Sequence, residues 1–338
     1  MQPKPSLKTI QKQCFNAGVF PSEVLDWIAS ENLWNLWVPK NYGGLEFSLT
    51  EGLRKLQFLA KIDGSLGWTI TLCSGANYFI GNLDREAREA IFRSSQQPIV
   101  LGGSGGAFGT AEKEKDGYRI SGKWRYATGA NYLSHFTLTA KITENGKVLK
   151  NKNDKPQLRS FVVPKEKVYI IEDWNTMGLK ASVTYSFEVD NEFIDGKFSF
   201  VYDEVQLSQP IFKIPFSVFA DLTLWINYVG MAEHFWEEAS KSLSEVQSES
   251  LNTIISSAAK SIFEFSAEIE EVTSKGVDIS QKNQQKIHNT TVESVRAISR
   301  AIIEAHPFLG IKASSENKPL NQIFRDYFTA TQHRIFVD

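Results

Sequence analysis

The 338-residue sequence predicts an α+β chain of three regions: helical over residues 1–97, strands over 98–205, and helical again over 206–338. Three observations carry this. Apolar residues recur at helical spacing in the first and last regions. In the middle region they alternate with polar residues at period two. Turn signals such as Asn145-Gly146 and Pro164-Lys165 separate the middle runs.

In the first region, Pro21, Ser22 and Glu23 open a helix. Leu49, Leu53, Leu56 and Leu59 mark another, and a turn over residues 39–44 (PKNYGG) lies between them. Asp84 and Glu86 open a further helix that runs towards Phe92. In the middle region the most informative stretch is 116–135, DGYRISGKWRYATGANYLSH. It reads as a hairpin and its exit. Tyr118 and Ile120, a Ser121-Gly122 turn, then Trp124 and Tyr126 alternate with Arg119, Ser121 and Arg125. Small residues follow, from Ala127 and Thr128 to Ala130. A small, hydroxyl-bearing strand edge beside aromatic residues can take a flat ring against its backbone. Further strands are expected at 135–142, 158–163, 168–171 and 185–189, with 151–155 a polar loop.

In the last region, Leu251, Ile254, Ala258, Ile262, Phe265, Ile269 and Val272 form one helical stripe. Ile287, Thr291, Val295, Ile298 and Ile302 form a second, and a final helix is expected over 320–336. The apolar stretch 211–232 is interrupted by Lys213, Pro215 and Asp221, so it reads as a buried helix and not a membrane span.

Composition narrows the function. Hydrophobic residues make up 42% and charged residues 22%, an ordinary soluble balance. A net charge of -2 provides no basic field for nucleic acid and no polybasic patch for a membrane, so neither is expected as a partner. The two cysteines, Cys14 and Cys73, fit neither a disulfide framework nor a zinc site, and no metal is expected. The N-terminal residues show no apolar core of a signal peptide, so a cytoplasmic protein is expected.

Two glycine patterns invite a nucleotide reading. The run 102–109, GGSGGAFG, fits no G-x-G-x-x-G register. It is either a flexible turn or a loop that lets backbone N–H groups approach an anion or a ring. Residues 117–123, GYRISGK, have P-loop spacing, but Trp124 stands where a Ser or Thr must hold magnesium. Of the five histidines, His333 stands out by its neighbours. Arg325, Thr329, Gln332 and His333 lie on adjacent turns, with Arg325 and Gln332 on one face at i,i+7. A solvated polar face of a terminal helix explains the same pattern.

Several segments, in order, resemble the acyl-CoA dehydrogenase superfamily. Residues 36–44 (LWVPKNYGG) are similar to its "vPeeyGG" turn, and 319–326 (PLNQIFRD) to its "RD" helix. In 122–129 (GKWRYATG), Tyr126, Ala127 and Thr128 match positions that line the flavin; 173–179 (DWNTMGL) match a "W-x-x-x-G" region beside it, with Trp174 as its aromatic. The resemblance implies a helical N-terminal domain, a central antiparallel β-barrel or sandwich that binds flavin, and a C-terminal four-helix bundle. It implies a homo-oligomer, usually a tetramer, and FAD as cofactor with FMN as the alternative. Gly103 and Ser104 join Tyr126, Ala127, Thr128 and Trp174 as candidate cofactor contacts.

Two branches of the superfamily differ at the base. Dehydrogenases need a carboxylate nine residues after the Arg of the "RD" pair, and Arg334 stands there. An arginine is no base near neutral pH. Asp221 is the substitute under the dehydrogenase alternative. The other branch, flavin-dependent monooxygenases similar to those acting on hydroxyphenylacetate and dibenzothiophene, is matched by 63–68 (DGSLGW), by Gly109-Thr110-Ala111 before the hairpin, and by Gln332-His333 after Arg325-Asp326. That resemblance implies a two-component enzyme, fed by a separate flavin reductase, that uses reduced flavin and O2 on a small aromatic or apolar substrate. It implies His333, Thr128 and Arg325 as catalytic candidates, Thr128 and His333 acting as hydrogen-bond donors in a site closed to water. An inactive scaffold of the same fold is the third reading.

Overall fold

The computed structural model describes residues 5–93 and 98–333. Its N-terminal part contains α1 (Leu7–Cys14), α2 (Ser22–Ser30), α3 (Leu49–Ile62), α4 (Gly64–Asn77) and α5 (Arg85–Phe92). The start signals act as the residue types dictate. Asp84 caps α5 by accepting from Ala87 N at 2.8 Å, and Ser48 and Glu51 form a reciprocal capping box on α3. The 39–44 turn closes on Gly43 at φ +83°, a left-handed conformation that suits glycine.

One sheet follows: β1 (Leu101–Glu114), β2 (Gly117–Ala127), β3 (His135–Glu144), β4 (Lys147–Val148), β5 (Leu158–Pro164), β6 (Tyr169–Ile171), β7 (Tyr185–Asp195) and β8 (Ser199–Phe200). The strand order is β6-β7-β2-β1-β3-β5-β8, with β4 paired to β3. The expected antiparallel barrel or sandwich is corrected here. β1 and β3 run parallel, because the chain leaves β2, crosses over and re-enters on the far side of β1. Among the described residues the end strands β6 and β8 do not pair, so the sheet is open.

Two local expectations are also corrected. The glycine run 102–109 is not a loop; it is most of β1. Its neighbours explain the glycines: a Cβ on Gly103 would lie 1.7 Å from the Thr137 carbonyl oxygen, and one on Gly109 would lie 2.4 Å from the Trp124 ring. The hairpin turn is at residues 115–116, where Glu114 pairs with Gly117. Ser121-Gly122 is instead an irregularity inside the continuous strand β2, where its register against β7 shifts.

The C-terminal part holds α6 (Phe216–Ala239), α7 (Glu245–Ser274), α8 (Gln281–Ala305) and α9 (Pro319–Ala330). α6 is buried around most of its circumference and packs on α3, α7, α8 and α9. Along α7 the buried line runs through Ile255, Ser266 and Thr273, so the expected Ile254, Phe265 and Val272 are only half-buried. Ser266 turns inward because its hydroxyl meets Thr50 Oγ1 of α3 at 3.0 Å. The last helix ends at Ala330, and residues 334–336, Arg334 included, lie outside the described residues. Among the described residues no helix is long and apolar enough to cross a membrane.

Two buried carboxyl groups join these parts. Asp63 caps α4, accepting from Leu66 N at 3.0 Å. Asp326 of α9 accepts from Leu179 N at 2.6 Å. Gln322 Nε2 bridges them, donating to Asp63 Oδ2 at 2.8 Å and to Asp326 Oδ2 at 3.3 Å, while Gln322 Oε1 accepts from Asn16 N at 2.7 Å. Burial, with the Asp326 charge added, pushes Asp63 up to about 8, and burial pushes Asp326 up to about 6. Both stay protonated after an unfolded chain, with aspartates near 3.9, has lost its protons. The folded state therefore binds more protons, and stability falls as pH rises from about 4 to about 8. Asp326→Asn keeps an acceptor for Leu179 but carries no charge. The thermal midpoint of this variant is expected to drop less between pH 5 and pH 8 than that of the wild type; equal drops in a thermal scan would contradict the linkage.

Candidate active site

Between the sheet and α4, α6 and α9 lies a cavity of about 1190 Å³. Each wall follows from local geometry. The sheet contributes the backbone of residues 102–106 and, from the end of β2 onward, Arg125, Tyr126 and Thr128. The segment 174–179 contributes Trp174, Thr176, Met177 and Leu179. α4 and the turn after it present Trp68, Thr71, Leu72, Gly75, Ala76 and Phe79, a three-to-four spacing that keeps one helical face on the cavity. α6 presents Phe216, Phe219, Ala220, Thr223 and Leu224, and α9 with the turn after it presents Phe324, Phe328, Thr329, Gln332 and His333.

Glycines keep the space open. A Cβ on Gly75 would meet only the Phe219 ring, at 3.8 Å, and one on Gly105 only the Tyr202 hydroxyl, at 3.6 Å. Larger side chains at either position would grow into the cavity. Aromatic rings form the far end, where Phe216 stacks on Tyr202 at 5.2 Å and tilts against Phe79 at 4.8 Å.

The residues singled out from sequence fall into two groups. Tyr126 and Trp174 come together edge to face at 5.7 Å, with the indole N–H fixed on Leu179 O at 3.0 Å. Thr128 stands beside them. Thr184 Oγ1 donates to its hydroxyl at 3.2 Å, which leaves the Thr128 proton available to the cavity. Gly103 and Ser104 are on the wall, although the Ser104 hydroxyl is committed to Arg125 O at 2.8 Å. His333 faces the cavity across the Trp68 ring, with centroids 5.7 Å apart. Burial lowers its imidazole pKa, so the ring is neutral near pH 7. Its Nδ1 and the Thr329 hydroxyl are buried with no hydrogen-bond partner among the described residues.

Three candidates are corrected. Ala127 is fully buried under the sheet, because strand alternation turns Tyr126 and Thr128 to the cavity and Ala127 away from it. Arg325 points outward from α9, and the face it was expected to share with Gln332 does not exist because the helix ends at Ala330. Its guanidinium donates to Asn321 Oδ1 at 2.8 Å, to Met177 O at 2.7 Å and to Asn16 Oδ1 at 3.3 Å. Arg325 thus positions segment 174–179 and does not reach the cavity. Asp221 also faces away, towards His288 Nδ1 at 3.2 Å. Among the described residues no carboxylate lines the cavity.

Sequence reasoning missed Thr71, Arg125, Phe216, Phe219 and Phe328 as site residues. One signal was available. α4 carries small and apolar residues all round, and its line 68-72-75, continued by Phe79 in the turn after it, mixes aromatic residues with a glycine.

No family model matches the chain. It is 27% identical to an indole-3-acetate monooxygenase of Acinetobacter baumannii over 230 residues, 67% of this chain and 56% of that protein. It is 19% identical to the flavin-dependent monooxygenase oxygenase subunit HsaA of Rhodococcus jostii over 237 residues, 68% of this chain and 60% of that one. The chain thus spans little more than half the length of these relatives. Among solved structures, XiaF from Streptomyces sp. in complex with FADH2 and glycerol superposes with a TM-score of 0.87 at 18% identity, covering 98% of this chain and 89% of that one. TdsC from Paenibacillus sp. A11-2 with FMN and indole superposes with a TM-score of 0.81 at 17% identity, covering 98% and 92%. The chain is therefore similar in sequence to flavin-dependent monooxygenases over about two thirds of its length and shares the fold of XiaF and TdsC.

Proposed function

We propose that this cavity holds a reduced flavin on its sheet side and a small aromatic or apolar substrate on its helical side. The chain is then the oxygenase component of a two-component monooxygenase, supplied with FADH2, or with reduced FMN, by a separate reductase. The observation that carries this is the buried pair His333 Nδ1 and Thr329 Oγ1, two polar atoms on the wall of a large apolar enclosure that have no hydrogen-bond partner among the described residues. Buried polar groups are rarely left unpaired, so such a pair marks where a polar ligand atom belongs.

Bound reduced flavin would supply the electrons and the site of oxygen activation. The chain's residues do the rest. Tyr126, Trp174 and the glycine-rich strand 102–106 offer a flat surface for the ring. Thr128 donates a hydrogen bond from the sheet side. Neutral His333 can hold or hand over a proton from the helical side. The phenylalanines of α6 and α9 exclude water. Among the described residues the acyl-CoA dehydrogenase alternative finds no carboxylate base on the cavity wall, since Asp221 faces His288. An inactive scaffold would not need the directed polar groups Thr128, Thr329 and His333 on the cavity wall. The three-part division at residues 97 and 205, a homotetramer and a cytoplasmic setting belong to the same proposal.

Two tests follow. The enzyme is supplied with reduced FMN by a generic flavin reductase under heavy-isotope O2, with indole, phenol and naphthalene as probes. Wild type is expected to place one labelled oxygen atom in at least one probe. His333→Ala is expected to lower product per reduced flavin by about 10-fold or more, since a positioned acid–base group typically contributes 10²–10⁴. Coupling in the wild type is expected to hold near pH 7 and to fall only below the ordinary histidine pKa, because burial lowers that of His333. Unchanged coupling in His333→Ala, or reduction of bound FAD by butyryl-CoA, would contradict the reading. Separately, Gly75→Leu is expected to abolish binding of reduced FMN and indole in anaerobic calorimetry while the thermal midpoint stays near that of the wild type; retained binding would remove the cavity from the proposal.

A further inference from the structure

The helical side of the cavity holds one hydroxyl whose proton is unspent in an unusual way. Threonines inside helices usually turn their hydroxyl back onto the carbonyl four residues earlier. Thr223, Thr253, Thr273 and Thr290 do so here, at 2.8 Å each, whereas Thr69, Thr291 and Thr329 make no hydrogen bond among the described residues. Thr71, on the cavity face of α4, makes no such bond among the described residues. Its Oγ1 instead accepts from Asn227 Nδ2 of α6 at 2.9 Å. Asn227 is fully buried behind it and does not line the cavity. A hydroxyl whose oxygen is held as an acceptor has its own proton left to give.

From this we infer that Thr71, oriented by Asn227, is the specificity-determining donor for the substrate, and that the substrate is an uncharged planar ring system bearing one hydrogen-bond acceptor, such as a carbonyl or a ring heteroatom. The surroundings set the rest of that class. Leu72, Phe79, Phe219 and Leu224 flank Thr71 on the same two helices, and the Thr223 hydroxyl opposite is spent on Phe219 O. Among the described residues the cationic side chain on the cavity wall is Arg125, which belongs to the sheet side. A carboxylate placed among these rings would lose its water with no counter-charge in return. A neutral acceptor would gain one directed bond. Asn227 touches no ligand in this scheme, so it is a positioning residue.

The inference rests on reading the cavity as a substrate site, and the test separates the two. The probes are 1-indanone and indane, which match in shape except for the carbonyl. Their affinities are measured by calorimetry under nitrogen on the full chain, with and without reduced FMN. Thr71→Val, nearly isosteric, is expected to lower the indanone-to-indane affinity ratio by about 5-fold, the effect of one neutral hydrogen bond, with indane affinity unchanged or raised. Thr71→Ser is expected to keep the ratio. Asn227→Ala is expected to lower it, because the freed hydroxyl turns back onto the Gly67 carbonyl. A ratio unmoved by Thr71→Val overturns the inference, whether or not flavin binds, and shows that the Thr71 proton is spent on Asn227. Wild-type binding of indole-3-acetate tighter than that of indole overturns the uncharged class. A ratio that falls in Thr71→Val while reduced FMN fails to bind supports Thr71 and counts against the flavin reading instead.

Discussion

The cavity depends on one buried arrangement, the pair Asp63 and Asp326 bridged by Gln322. Asp63 fixes the first turn of α4, from which Trp68, Thr71 and Gly75 project. Asp326 holds Leu179 N, and so fixes segment 174–179 with its Trp174. The same aspartate stands just before Thr329 and His333. One glutamine amide thus couples three walls of the cavity, and its carbonyl oxygen also accepts from Asn16 N beyond α1. Leaving one of these acceptors or donors unpaired would cost about 1–3 kcal/mol. Arg325 completes the arrangement from outside by tying Met177 O and Asn16 to α9. The "RD" pair therefore splits its work: Asp326 inside the protein and Arg325 at its surface, neither of them on the cavity wall.

What the cavity can do follows from which of its polar groups are already satisfied. Ser104 and Thr223 are bonded to backbone carbonyls, and the Trp174 N–H to Leu179 O. Thr128 and Thr71 are each held as acceptors by a neighbour, which frees their protons. Thr329 and His333 have no partner among the described residues. The uncommitted groups lie on three sides of an enclosure lined mainly by aromatic and aliphatic side chains. That pattern, apolar walls with a few directed polar atoms, is the usual form of a small-molecule site.

The parts of the fold legible in the sequence are those governed by local rules. Pro21 and Asp84 mark helix starts because such signals need only neighbouring residues, and Asp84 also caps its helix by side chain. The strands expected at 135–142, 158–163 and 185–189 follow from alternation, and the observed ones run on to Glu144, Pro164 and Asp195. The misreadings are long-range effects. Residues 102–109 look like a loop because glycine disfavours strands, yet here glycines are required by the close approach of Thr137 and Trp124 from neighbouring strands. Ser121-Gly122 looks like a turn for the same reason. Ala127 and Arg325 were assigned by motif, and a motif does not say which way a side chain points. His333 stands out by its neighbours and takes a role from the resemblance, while the lack of a partner for its Nδ1 among the described residues is visible only in the packed structure. Thr71 carries no sequence signal at all, because what distinguishes it is a partner, Asn227, 156 residues away.

The most direct measurement is an anaerobic crystal structure of the chain with reduced FMN and 1-indanone. The account predicts the flavin ring on the sheet side, against residues 102–104, Tyr126 and Trp174, with the indanone among Trp68, Phe219 and His333 and its carbonyl oxygen within hydrogen-bond reach of Thr71. A flavin bound elsewhere, or a cavity closed by protein side chains with His333 Nδ1 paired to one of them, would contradict it.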